Sequence, residues 1–259
     1  MSQEFAPRRA VILGASNVRR NLSVVVETAQ RAWGQPLDLL IAAGHGRSYG
    51  AWNWVVGYSV PGIERCGLWS DLAARPAAPT AAMLTDVGND LLYGATPPMI
   101  LAWIETCLER LVTQCERIVI TELPLENVAA LAPWKFALLR SVLFPTSRIT
   151  FSETIAHARE LNAGLLQLAA RYRCQTVQPQ SGWFGFDPIH IRRSRALSAW
   201  QTFFDPWRAA AQPLIASGSI AHWIKLRRAA VHEQRWFGHE HHQAQPAVRY
   251  PDGSSVALY

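Results

Sequence analysis

Lysine is nearly absent from this 259-residue chain: Lys135 and Lys225 are the only two among 25 basic residues, so arginine carries the formal charge of +6. The arginines are spread along the whole chain instead of forming a stripe, which reads as a solvated basic surface and gives no nucleic-acid footprint. Cysteine is scarce as well. Cys66, Cys107, Cys115 and Cys174 lie far apart with no Cys-x-x-Cys pair, a pattern that suits reduced, mostly buried thiols better than a disulfide framework or a zinc site. No apolar run approaches the roughly eighteen residues that a membrane span requires. The first apolar run starts within ten residues of Met1, with no signal-peptide core before it. The expectation is a cytoplasmic protein with no membrane span. Internal repeats and strong linkers are also lacking.

What is present is a core. At 49% apolar over 259 residues the chain can bury one large domain or two small ones. Apolar runs over residues 9–13, 37–43, 81–85, 117–121 and 174–177 read as strands, and stretches with helical spacing over 22–32, 98–111, 152–171 and 196–211 read as helices. Ser152 with Glu153 is the expected opening of the third of these helices. Alternating strand and helix predict an α/β fold, a three-layer doubly wound (flavodoxin-like) sheet of about five parallel strands with right-handed crossovers. The α/β domain is expected over 1–219. Residues 220–259 have a different character, with Lys225, Arg227 and Arg228, then His239-Glu240-His241-His242, then a Pro251-Asp252-Gly253 turn signal. They read as a basic, His-rich extension ending in a hairpin or arm, and residues from about Pro246 onward are expected to be dispensable for chemistry. The three histidines could ligate a metal, but they suit a solvated polar tail better.

Four short segments carry chemistry: Gly14-Ala15-Ser16-Asn17, Gly44-His45-Gly46, Gly88-Asn89-Asp90 and Asp187-Pro188-Ile189-His190. The first three each follow an expected strand, so a parallel sheet would bring them out at one carboxyl edge, where α/β proteins bind ligands. The fourth follows the last expected strand. A serine hydroxyl is a weak nucleophile at neutral pH and needs a base for its proton and donors for the oxyanion. Ser16, between strand and helix, can expose its Oγ and aim its own N–H at a ligand. Glycine at 44 or 46 lets a backbone N–H approach a substrate oxygen closely. The Asp187 to His190 spacing lets a carboxylate reach an imidazole and hold its tautomer. Each block alone has an ordinary structural reading as a helix cap or a turn.

Together the four blocks resemble the SGNH hydrolases, the GDSL esterase/lipase family, over roughly residues 9 to 210. The resemblance implies a serine ester hydrolase with Ser16 as nucleophile, His190 as general base then acid, and Asp187 as its orienting partner. Ser16 N–H, Gly46 N–H (over Gly44) and the Asn89 side chain would form the oxyanion hole. Family members usually have Gly-Asp-Ser in the first block, and this chain has Ala15 in place of that Asp. No metal or organic cofactor is implied. The substrate would be a small-molecule or acylated ester, anionic or carbohydrate esters included. Arg192, Arg193 and Arg195 beside His190 give a motive for anions, and Trp52, Trp54 and Trp183 read as packing first and as sugar platforms second. A catalytically inactive SGNH-like binding or assembly module, or an acyltransferase on the same scaffold, are the alternatives. A short-chain dehydrogenase turn fails at Val18, Arg19 and Arg20, where glycines should approach a pyrophosphate. An α/β-hydrolase elbow fails because it needs glycine at Val18. Oligomeric state is left open.

Overall fold

The computed structural model describes residues 8–55, 57–143, 147–208 and 220–259. In chain order its elements are β1 (Arg8–Leu13), α1 (Ser16–Arg20), α2 (Leu22–Trp33), β2 (Leu37–Ala42), β3 (Asn53–Val55), β4 (Tyr58–Val60), α3 (Leu68–Ala74) and β5 (Thr80–Leu84). Then come α4 (Asn89–Leu92), α5 (Pro97–Val112), β6 (Arg117–Thr121), α6 (Leu125–Ala129), α7 (Pro133–Leu143), α8 (Phe151–Arg171), β7 (Gln175–Val177) and α9 (Ala196–Phe204). The described chain closes with α10 (Ile220–Arg228), β8 (Glu233–Trp236), β9 (His239–His242), β10 (Val248–Arg249) and β11 (Ser255–Leu258).

The five expected strands are β1, β2, β5, β6 and β7, and they lie in the order β2-β1-β5-β6-β7, all parallel. Helices cover both faces, so the strands are apolar on both sides instead of alternating with polar residues. In β1, Ala10 and Ile12 join the core under α2 and α9, while Val11 and Leu13 join the opposite core under α5 and α8. The small side chains Ala81 and Ala82 do the same in β5. The fold is therefore the expected three-layer α/β architecture, with local boundary differences. The helix expected from Ser152 is capped by Thr150, whose Oγ1 accepts from Glu153 N while Thr150 N donates to Glu153 Oε2. The helix expected to reach residue 211 ends at Phe204, just before Asp205-Pro206. Residues 209–211 lie outside the described part.

The sheet has seven strands, not five, because β11 pairs in parallel with β2 and β10 pairs antiparallel with β11. The expected hairpin does form around Pro251-Asp252-Gly253, with Gly253 at φ +85° and Ser254 N donating to Asp252 Oδ1 at 2.9 Å. It is no free arm. Val256, Ala257, Leu258 and Tyr259 are buried, and Tyr259 N donates to Ile41 O at 2.9 Å, so the last residues are an inner part of the sheet. The reading of 220–259 as an appended extension is corrected on this point. The hydrophobic pattern of Ser254 to Tyr259 is too short to announce a buried strand, and its partner β2 lies more than 200 residues earlier.

A second, four-stranded antiparallel sheet, β3-β4-β8-β9, was not legible in the sequence. It joins segments near residue 55 and near residue 238, and Tyr58 packs on Trp236 with ring centroids 5.0 Å apart. His239, His241 and His242 lie on its exposed outer strand β9. No helix among the described residues is long and apolar enough to cross a membrane.

Candidate active site

Because β1 lies between β2 and β5, with Leu13 level with Ala42 and Leu84, the loops after these strands emerge side by side. Ser16 is the first residue of α1, on the turn leaving β1. Its Oγ is 2.8 Å from His190 Nε2, and His190 Nδ1 is 2.5 Å from Asp187 Oδ2. A carboxylate on Nδ1 makes that nitrogen the donor in the neutral ring and leaves Nε2 as the acceptor facing the hydroxyl. Burial pushes the Asp187 carboxyl up, but the His190 ring and the backbone N–H groups of Ile189 and His190 outweigh it, so its pKa is lowered and it stays ionised. The segment from Asp187 to His190 is a bend and belongs to no helix. Asp187 Oδ1 instead accepts from Ile189 N at 3.1 Å, closing an Asx-type turn.

Two residues brace this arrangement. Asp86, after β5, sits at φ +59°, a left-handed conformation that Asp tolerates better than most residues. Its Oδ2 accepts from Ala15 N and Asn17 N at 3.0 Å each, and its Oδ1 from Asn17 Nδ2 at 2.8 Å. Asn17 also donates to Ile189 O at 2.8 Å and accepts from Ile191 N at 2.9 Å. The buried Asn17 side chain thus ties the serine turn to the Asp86 loop on one side and the histidine loop on the other. The only sequence signal for this pair was that Asn17 belongs to the first block.

Gly46 sits on the turn after β2 at φ +62°, where glycine is favoured. It is partly exposed, whereas Gly44 is buried. Asn89 opens α4. Among the described residues, neither Ser16 N–H, Gly46 N–H nor the Asn89 side chain has a hydrogen-bond partner other than the Ser16 hydroxyl's contact with His190. The loops that carry Gly46 and Asn89 are joined to each other. Buried Asp90 accepts from Tyr49 N at 2.9 Å and from the Ser48 hydroxyl, while Tyr49 OH lies 3.1 Å from Leu13 O and 2.8 Å from Thr85 O, bridging the ends of β1 and β5. Burial raises the Asp90 pKa to about 6 despite those donors. Arg47, fully buried, donates to Pro61 O at 3.0 Å and to the backbone oxygen of Tyr259, so the turn after β2 is anchored on the last strand. Sequence reading passed over Tyr49 and gave Arg47 no structural role, because nothing local marks a buried polar tie.

Other expected participants lie elsewhere. Arg192 donates to Gly182 O at 2.6 Å, and Arg193 and Arg195 are exposed on a short 3-10 turn. Burial, with the Arg19 and Arg20 guanidiniums and His190 adding to it, holds the His45 imidazole below its usual range. Trp183 is buried edge-on against Phe203 at 5.2 Å, and Trp52 lies under the Arg235 guanidinium at 4.0 Å. The Trp54 side chain lies outside the described part. Among the described residues no group of three His, Cys, Asp or Glu side chains is placed to hold a metal ion.

No protein-family model and no curated protein matches the sequence. Solved structures do. A carbohydrate acetylesterase family member from Sinorhizobium meliloti superposes with TM-score 0.53 at 15% identity, over 77% of this chain and 96% of its own. The inhibitor-bound aryl esterase of M. smegmatis superposes with TM-score 0.50 at 14% identity, over 76% of this chain and 97% of its own. Likeness at so low an identity is a likeness of architecture: the chain shares the three-layer α/β fold of these two esterases.

Proposed function

We propose that the protein is an SGNH-type ester hydrolase that works through Ser16, His190 and Asp187. One observation carries the reading: a hydroxyl, an imidazole and a carboxylate in sequence at 2.8 and 2.5 Å, at the carboxyl edge of the sheet. His190 Nε2 would take the Ser16 proton as Oγ attacks the ester carbonyl, and Asp187 would stabilise the imidazolium that forms. The tetrahedral oxyanion would accept from Ser16 N–H, Gly46 N–H and the Asn89 amide, three donors that no acceptor among the described residues occupies. Gly46 is preferred to Gly44 because it is the accessible one of the two. His190 would then return the proton to the leaving alcohol, and water, activated by the same imidazole, would release the acid from the acyl-enzyme.

A fluorophosphonate probe followed by mass-spectrometric site mapping tests this. Labelling of Ser16, lost in Ser16→Ala and His190→Ala, is the expected result. Modification of a different serine, or none in folded protein, would overturn the reading.

A further inference from the structure

The site described above says nothing about the acyl group, and a cavity lies against it. An open pocket of about 1090 Å³, its solvent-filled mouth included, has walls from the ends of β5 and β6 and from α6, α7 and α8. Asn89 and Asp187 line it too, whereas Ser16 and His190 do not. Most of its wall is aliphatic or aromatic, with Leu125, Val128, Leu131, Phe136, Leu139 and Phe184 among the contributors.

Apart from the Asn89 amide, the polar side chains in the wall are already hydrogen-bonded within the fold. Thr121 Oγ1 donates to Thr85 Oγ1 at 2.8 Å, Asn162 Nδ2 donates to Glu122 Oε2 at 3.0 Å, and Arg140 Nη1 donates to Ile149 O at 2.8 Å. Thr154 Oγ1 donates to Thr150 O at 2.8 Å, and Asp86 is occupied by Asn17. An apolar occupant therefore strands no buried donor or acceptor, while a sugar would find few partners for its hydroxyls. The pocket adjoins the proposed site: Asn89, which would hold the carbonyl oxygen, lines it, and so do Asp187, Pro188, Ile189 and Ile191 on either side of His190.

From this we infer that the pocket receives the acyl chain, and that the substrates are esters of medium- to long-chain apolar acyl groups in preference to acetyl esters. The inference rests on the Ser16 hydrolase reading. An acetyl group would leave most of the apolar wall in contact with water, whereas each methylene moved onto it raises kcat/KM by about threefold to fourfold. Val128 and Leu131 become the specificity-determining residues, since both are partly exposed and can be enlarged without overpacking the core.

The test uses the full chain and a p-nitrophenyl ester series with one leaving group: acetate, butyrate, octanoate and decanoate, below their aggregation limits. kcat/KM should rise by about 10³ from acetate to octanoate if all six added methylenes reach the wall, and by at least about tenfold if only two do. Leu131→Trp and Val128→Phe should cut octanoate turnover by about tenfold and leave acetate within about twofold. A profile that falls from acetate onward, or variants that slow all four esters equally, would overturn the acyl pocket. Ser16→Ala separates the two readings, because loss of all turnover keeps the hydrolase mechanism whatever the acyl profile, and surviving turnover removes it. Independently of chemistry, a fluorescent dodecanoyl amide should bind Ser16→Ala saturably and about tenfold more weakly once Leu131→Trp is added. Absence of saturable binding would also overturn the proposal.

Discussion

Asp90 offers a test that uses stability alone. Its carboxyl is 1% exposed, and burial moves its pKa from 3.8 to about 6 even though Tyr49 N and the Ser48 hydroxyl donate to it. In the unfolded chain the same group ionises near 3.8, so between pH 4 and 6 the folded protein holds a proton that the unfolded chain has released. Stability from this group is therefore fully present below pH 4 and is lost as pH rises through 6, by about 3 kcal/mol in all. Asp90→Asn keeps an acceptor for Tyr49 N and carries no charge, so it should remove this slope. Urea unfolding of both proteins at half-unit steps from pH 4.5 to 8 gives the difference directly. Asp187, whose pKa is lowered, contributes with the opposite sign in both proteins and cancels in the comparison. The variant should gain on wild type by about 2 kcal/mol between the two ends of the range. A parallel pair of curves, or a wild type that gains on the variant as pH rises, would refute the reasoning.

Asn89→Ala should lower kcat by about 10²–10³ with little change in KM, because its hydrogen bond forms mainly in the transition state; a stability loss with kcat unchanged would make it a turn residue only. Asn17→Ala leaves Ile191 N and Ile189 O without their partner and takes one donor from Asp86, which should cost about 2–4 kcal/mol in thermal or urea unfolding and slow the folded enzyme by loosening His190 against Ser16. Removing residues 246–259 takes away the buried Val256, Leu258 and Tyr259 side chains, about 5–9 kcal/mol of apolar burial, and one acceptor of buried Arg47. That approaches the whole stability of an ordinary domain. Circular dichroism should therefore show an unfolded or molten chain, and a cooperative wild-type-like melt would contradict the placement of β11.

The sequence by itself determined the parts of this protein whose physics is local. Fully apolar runs such as Val11-Ile12-Leu13 announce strands buried on both faces, helical spacing from Ile155 to Leu168 announces a covering helix, and their alternation leaves few topologies other than a doubly wound sheet. It also named Ser16, Gly46, Asn89, Asp187 and His190 as the residues of the proposed site, through the resemblance of four short blocks to a known esterase family. Only the tertiary structure decided what depends on residues far apart in the chain. Ser16 and His190 are 174 positions apart, and their hydrogen bond exists because Asn17 and Asp86 bind the two loops together. Asp86 shows no sign of that role in its own neighbourhood, just as nothing near Arg47 foretells the backbone oxygen of Tyr259. The second sheet and the place of β11 beside β2 follow the same rule. A short strand acquires its partner from the free edge that the rest of the fold leaves open, and that edge is a property of the assembled core, not of the four or five residues that fill it.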